Sequence, residues 1–114
     1  MTVSFQGSSN ESFVVWVTGL SGSGKTTISR VLHEKMKPEL RELVLLDGDE
    51  IRAAFGHDLG YSERDRVVQV QRVQRLAQML TAQGLSVIVA VVYCNPELMR
   101  WNRENMDHYV EVSL

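Results

Sequence analysis

A lysine, a run of hydroxyls and two closely spaced carboxylates are the residues here that could do chemistry together. Gly19-Leu20-Ser21-Gly22-Ser23-Gly24-Lys25-Thr26 fits the pattern G-x-x-x-x-G-K-[ST] in full. Glycines let successive backbone N–H groups turn inward onto phosphate oxygens. A helix beginning at the end of such a loop adds the partial positive charge of its N-terminus. In this pattern Gly19, Ser21, Gly22, Ser23 and Gly24 cradle a nucleotide's phosphates, with Thr27 beside them. Lys25 reaches the β- and γ-phosphates and acts catalytically, and the Thr26 hydroxyl ligates Mg²⁺. A nucleoside triphosphate with Mg²⁺ is therefore expected, although the pattern alone does not separate kinases, GTPases and ATPases.

The second pair is Asp47-Gly48-Asp49, at the end of the apolar run Leu43-Val44-Leu45-Leu46. Strand C-termini converge on the ligand crevice in open α/β sheets, which brings both carboxylates toward the phosphates. Asp49 can cap a helix over residues 50–55, act as a functional carboxylate, or do both. No Asp follows the later run Ser86 to Val92. The metal-holding carboxylate that many ATPases place there is missing, which leaves Asp47 or Asp49 for that task. Arg66 falls in the first turn of a predicted helix, where the macrodipole disfavours a cation, and so points to an anionic ligand. Arg64 and Arg72 read as a solvated face. His33, His57 and His108 are scattered and suggest no metal cluster.

Alternating strands and helices must position these groups. Phe13–Thr18 is apolar without polar alternation, as in a parallel-sheet strand buried on both faces. A first helix is expected from about Gly24 to Lys37, with Ile28, Val31, Leu32 and Met36 inward and Pro38 ending it. Leu43–Asp47 is the second strand, and Gly56 to Gly60 is a loop. Ser62 then caps a helix running to about Gln83, with Asp65 three residues on as a near variant of the capping box. Val70, Val73, Ala77 and Leu80 form its buried stripe, and Gly84 is its C-cap. Ser86–Val92 is the third strand. Pro96 starts a helix to about Met106, in which Trp101 reads as a core residue. Tyr109–Leu114 alternates and reads as the fourth strand. This order predicts an α/β fold, a parallel sheet with helices on both faces and right-handed crossovers.

The chain has 114 residues, of which 44% are hydrophobic, enough for one domain with a core. Its net charge of −2 gives no general attraction to nucleic acid or to a membrane. The single Cys94 excludes an internal disulfide framework and fits a reducing compartment, hence a cytoplasmic setting. Residues 1–12 are polar, lack the apolar stretch of a signal peptide and read as a flexible tail. No apolar run approaches a membrane span.

From residue 13 to 92 the chain resembles the adenylylsulfate kinases, P-loop enzymes that phosphorylate the 3′-hydroxyl of adenylyl sulfate with ATP in sulfate assimilation. The resemblance rests on Val17 to Thr26, on Leu46-Asp47-Gly48-Asp49 with Arg52, and on Asp58-Leu59-Gly60-Tyr61-Ser62 followed by Asp65-Arg66. It implies that Asp49 is the base on the acceptor hydroxyl or part of the metal shell. It implies that Arg52 and Arg66 hold the acceptor's anionic groups, that Tyr61 lies against its base, and that Gln69 joins them. The sequence departs from the family at Val68-Gln69, where Glu-Asn is common. Tyr93-Cys94-Asn95-Pro96 and Glu97 replace the family's Ser-Pro-aromatic-Arg, which predicts weakened handling of adenylyl sulfate. Residues 13–114 match a partial domain, lacking the family's lid and last strand. The edge of Tyr109–Leu114 is then expected to lie open and favour self-association. The implied protein is a small-molecule kinase. The alternatives are a kinase for another hydroxyl-bearing anion and a nucleotide-binding module without turnover, as a homo-oligomer or within a larger chain.

Overall fold

The computed structural model describes residues 2–6, 12–19, 25–37 and 42–114, with side chains for all but 2–6 and 25–27. The elements in order are β1 (Thr2–Gln6), β2 (Val14–Thr18), α1 (Lys25–Met36), β3 (Leu43–Asp47), α2 (Gly48–Ala54), α3 (Glu63–Ala82), β4 (Ser86–Val91), α4 (Pro96–Asn105) and β5 (Tyr109–Ser113). Pro38, expected to end α1, lies outside the described residues. The sheet order is β1-β5-β2-β4-β3. β2 is parallel to both β4 and β5, and β3 is parallel to β4. The predicted parallel sheet is therefore present, with its first apolar strand at the centre.

β1 is the departure. Residues 2–6, expected within a loose tail, pair antiparallel with β5, Thr2 opposite Ser113 and Gln6 opposite Tyr109. Thr-Val-Ser-Phe-Gln alternates polar and apolar residues at the strand period. The outer backbone groups of β5 need partners, and β1 supplies them. The open β5 edge expected from the sequence is thus covered.

Both faces of the sheet are buried, as the unalternating apolar runs require. Val14 and Trp16 of β2, Val87, Val89 and Val91 of β4, and Tyr109 of β5 point to one face. There they meet Val70, Val73 and Ala77 of α3 and Leu98 and Met99 of α4. Val15, Val17, Ile88 and Val112 point the other way, onto Leu32 and Met36 of α1. Trp101, expected in the core, is only half-buried; it packs against the core and carries the Arg75 guanidinium 4.8 Å from its ring centroid.

The seam between α3, α4 and β5 holds polar groups that periodicity does not reveal. Gln74 and Asn102 are buried. Gln74 Nε2 donates to Asn102 Oδ1 at 2.9 Å and to Leu98 O at 3.1 Å. Asn102 Nδ2 donates to the Tyr109 hydroxyl at 3.1 Å, which donates to Glu111 Oε1 at 2.9 Å. Arg103 Nη1 closes the chain on the Glu111 carboxylate at 3.1 and 3.2 Å. Burial, followed by the neighbouring carboxylate, pushes the Tyr109 hydroxyl far above the usual tyrosine range, against the Asn102 hydrogen bond. This chain fixes the register of β5 against α4.

Candidate active site

The C-terminal ends of β2, β3 and β4 lie side by side, in register at Thr18, Val91, Ala90 and Asp47. β2 leads through Gly19 toward the helix that starts at Lys25. Ser21, Gly22, Ser23 and Gly24 lie outside the described residues, as do the side chains of Lys25, Thr26 and Thr27. The described backbone nonetheless has the strand-then-helix order that the phosphate-binding pattern needs, with α1 beginning at Lys25.

At the end of β3 the two aspartates divide their work differently from expectation. Asp47, not Asp49, is the N-cap of α2, and the helix starts at Gly48. Asp47 Oδ1 accepts the backbone N–H of Asp49 at 2.9 Å and of Glu50 at 3.2 Å. Asp47 is buried in doing so. Asp49 sits in the first turn, exposed, and its carboxylate makes no hydrogen bond or ion pair with a described residue. Gly48 packs on β4 at ordinary contact distances: a Cβ there would meet Ala90 O at 3.4 Å and Val91 Cγ1 at 3.5 Å.

Three of the four expected acceptor residues come together beyond α2. The Arg52 guanidinium lies 4.5 Å from the Tyr61 ring centroid, and its Nη1 donates to Leu59 O at 3.3 Å and Gly60 O at 3.1 Å. The Arg66 guanidinium lies 5.9 Å from the same ring. Tyr61 itself is 68% exposed, a ring presented to solvent between two cations. Gln69 does not join them. It is buried, donates through Nε2 to Gly48 O at 3.3 Å and accepts from Arg72 Nη1 at 3.4 Å. It therefore ties α3 to the start of α2 from behind.

The loop carrying Tyr61 is fastened at several points. Gly56 and His57 both take positive φ, +69° and +53°, turning the chain so that Asp58 meets α3. Arg72 Nη2 donates to Asp58 Oδ2 at 2.8 Å and Nη1 to Oδ1 at 3.2 Å, with the Phe55 ring 4.1 Å beneath the guanidinium. That bidentate partner holds the Asp58 carboxyl below the usual carboxylate range. Ser62 caps α3 by accepting from Asp65 N at 3.2 Å. The Asp65 side chain reaches past the cap to accept Gly60 N at 2.8 Å. Arg72, read from sequence as part of a solvated face, is thus a loop clamp.

Tyr93 is a residue that sequence reasoning noted only as a departure. It follows β4, packs partly against the core, and its ring centroid lies 6.0 Å from the Arg66 guanidinium. Asn95 caps α4 by accepting from Leu98 N at 2.8 Å, which leaves Glu97 exposed in the first turn. A cavity of about 770 Å³ among the described residues lies elsewhere, at the opposite end of the sheet between Ser12, Val14, Thr81 and His108. Asp49 lies instead just past the C-terminal end of β3, the end of a parallel sheet at which ligands bind, and Arg52, the exposed Tyr61 ring and Arg66 gather on the elements that follow.

A mainly parallel sheet of this order, with a G-x-x-x-x-G-K-[ST] sequence between its central strand β2 and α1, defines a P-loop NTPase fold. The chain belongs to the adenylylsulphate kinase family, whose sequence pattern matches residues 11–113. Among curated proteins it is 38% identical over 103 residues to the cytidine diphosphoramidate kinase of Campylobacter jejuni, covering 90% of this chain and 60% of that protein. It is 39% identical over 101 residues to the adenylyl-sulfate kinase of Pseudomonas aeruginosa, covering 87% and 52%. Among solved structures, the Mycobacterium tuberculosis APS kinase CysC in complex with AMPPNP and APS superposes with a TM-score of 0.79 at 30% identity, covering 90% of this chain and 62% of that one. The chain thus spans half to three fifths of the length of these curated relatives. No helix among the described residues is long and apolar enough to cross a membrane.

Proposed function

We propose that this chain carries the nucleotide and acceptor sites of an ATP-dependent kinase, which transfers the γ-phosphoryl group to a hydroxyl of a small anionic nucleotide. The 3′-hydroxyl of adenylyl sulfate is the first candidate. The observation that carries the reading is the division of labour at the end of β3. Asp47 takes the capping role, so the Asp49 carboxylate is exposed in the first turn of α2, with no hydrogen bond or ion pair to a described residue.

In this reading the loop from Gly19 to Gly24, with Thr27, holds the ATP phosphates, and Lys25 neutralises charge on the β- and γ-phosphates. Thr26 and Asp49 are the residues that would hold Mg²⁺, and an exposed carboxylate committed to no described partner suits that ion's oxygen preference. When bound, the ion would offset the charge on the phosphate oxygens. Asp49 also accepts the proton of the acceptor hydroxyl. Arg52 and Arg66 bind the acceptor's anionic groups, and the Tyr61 ring takes its base. Gln69 supports the site through Gly48. Residues 13–114 act as one P-loop unit completed at its edge by β1. A cytoplasmic location, in keeping with the single Cys94, belongs to the proposal. Assembly as a homo-oligomer, or as part of a larger chain, belongs to the same proposal.

A second acceptor is favoured by a specific observation. Tyr93 stands at the end of β4, and no arginine enters the first turn of α4, where Glu97 is exposed. The Campylobacter jejuni relative is named for cytidine diphosphoramidate rather than adenylyl sulfate. The test is ATP consumption by this chain, with Mg²⁺, against adenylyl sulfate, cytidine diphosphoramidate and uncharged sugar alcohols. Turnover with either nucleotide and none with the sugars supports the reading. Binding of ATP without turnover on any acceptor reduces the chain to a nucleotide-binding module. Calorimetry sets the baseline: Lys25→Ala must weaken ATP binding, and unchanged affinity would remove the phosphate site itself.

A further inference from the structure

Glu63 and Arg66 are three residues apart on α3, a spacing at which opposite charges on a helix ordinarily pair. Here they do not. Glu63 Oε1 accepts a hydrogen bond from the Tyr93 hydroxyl at 2.9 Å, and Asn95 Nδ2 donates to the same hydroxyl at 3.4 Å. The Arg66 side chain makes no hydrogen bond or ion pair with any described residue. Its guanidinium lies instead within about 6 Å of two rings, Tyr61 and Tyr93. The Tyr93 ring is half-buried against the core and anchored by Asn95, so its hydroxyl is a fixed point.

We propose that Tyr93 is a positioning residue for the acceptor site: it holds the Glu63 carboxylate away from Arg66, and so keeps that guanidinium available to an anionic group of the acceptor. The inference rests on the reading of Arg66 as an acceptor-binding cation. Without the phenolic hydroxyl, the Glu63 carboxylate is released beside Arg66. It then competes with the acceptor for the guanidinium and adds its own repulsion to any sulfate or phosphate approaching it. The hydroxyl of Tyr93 thus controls acceptor affinity without touching the acceptor, and the ring, packed against the core, carries it.

Binding of adenylyl sulfate, followed by calorimetry on the full chain with ATP·Mg²⁺ kept out, tests this with four variants. Arg66→Ala should weaken binding markedly. Tyr93→Phe, which keeps the ring and its packing, should weaken it by about two- to fivefold, the size of a surface ion pair expressed as affinity. Glu63→Gln should bind at least as well as the parent, because it removes only a competitor. The double variant Tyr93→Phe/Glu63→Gln should recover parental affinity, which a packing role for the hydroxyl would not allow. Loss in Arg66→Ala with parental affinity in Tyr93→Phe overturns this inference alone. A double variant that stays as weak as Tyr93→Phe also overturns it alone. Parental affinity in Arg66→Ala overturns the acceptor reading and this inference with it.

Discussion

Two regions of the molecule use similar polar side chains to opposite ends. At the seam of α3, α4 and β5, Gln74, Asn102 and Tyr109 are buried and matched donor to acceptor. At the strand C-termini, Asp49, Tyr61 and Arg66 are exposed, and neither the Asp49 nor the Arg66 side chain has a hydrogen-bond or ion-pair partner among the described residues. Buried polar groups cost folding free energy unless satisfied, so the seam tolerates only complete pairing. Exposed groups are satisfied by water, and can be left open to a ligand at little cost in stability. The difference teaches where to look for each effect: truncation at the seam should unfold the protein, and truncation at the crevice should disable it.

The largest effect expected is on chemistry. Asp49→Asn should lower kcat by about 10²–10⁴-fold, the usual range for a general base, while leaving thermal stability near the parent's. The exposed side chain caps nothing, because Asp47 does that work. Turnover and thermal unfolding measured on one preparation check both halves. Unchanged kcat would remove Asp49 from the reaction, and a large loss of stability would break the contrast between the two regions.

Next in size is the seam. Asn102→Ala leaves the Gln74 amide without an acceptor at Asn102, and the Tyr109 hydroxyl without a donor, at a position of 0% exposure. Each buried group left unsatisfied costs about 1–3 kcal/mol, and the removed volume adds to that. Denaturant unfolding should therefore show a loss of several kcal/mol, with ATP affinity of the folded fraction unchanged. A loss below about 0.5 kcal/mol, the scale of an ordinary surface change, would mean that the seam is no more demanding than the crevice.

The sequence showed the crevice better than the seam, and the reason is physical. Apolar runs mark strands buried on both faces, so β2 to β5 could be read from residue types alone; the glycine-rich pattern falls between β2 and α1, and residues 20–24 lie outside the described residues. Arg66 stood out because its charge opposes the helix dipole. Gln74 and Asn102 gave no such signal: an amide on a helix looks solvated until the facing element is known. Arg72 was misread for the same reason, since Asp58 lies 14 residues before it and reaches it only through the left-handed turn at Gly56 and His57. The exchange of roles between Asp47 and Asp49 depends on where α2 starts, and helix ends shift by one or two residues without any change in pattern. β1 was legible in its alternation, but its polar composition suggested a tail.

Alkaline pH offers a finer probe of the seam. Burial raises the Tyr109 hydroxyl above its unfolded value, so the folded state keeps a proton that the unfolded state releases. The stability this contributes is complete below the unfolded value near pH 10 and is lost as pH rises beyond it. Half a unit above that value the loss is about 0.8 kcal/mol. Tyr109→Phe should start less stable, because Asn102 and Glu111 lose a partner, and should then show a shallower decline between pH 10 and 11. Parallel slopes for the two proteins, followed by denaturant unfolding, would mean that the hydroxyl is not held protonated by the fold.

The smallest effect belongs to the clamp on the loop that carries Tyr61, and it tests whether a partly exposed ion pair acts on position rather than on stability. Asp58 is held below the ordinary carboxylate range by Arg72. It is therefore charged at neutral pH, and the clamp is lost only as pH falls through that lowered value. Between pH 5 and 8 the clamp should contribute no pH dependence at all. Arg72→Gln removes the guanidinium, and with it both donors to Asp58, the donor to Gln69 Oε1 and the contact with Phe55. Solvent screens such a pair, so thermal stability should barely move. The loop that presents Tyr61 becomes looser, and the acceptor KM should rise by about two- to threefold, with the KM for ATP unchanged. The conservative Arg72→Lys keeps the charge but not the bidentate geometry, and should fall between parent and Gln variant. Equal rises in both KM values would assign Arg72 to the fold as a whole. A rise confined to the acceptor makes Arg72 a positioning group for Tyr61, acting from outside the crevice through the loop that it fastens.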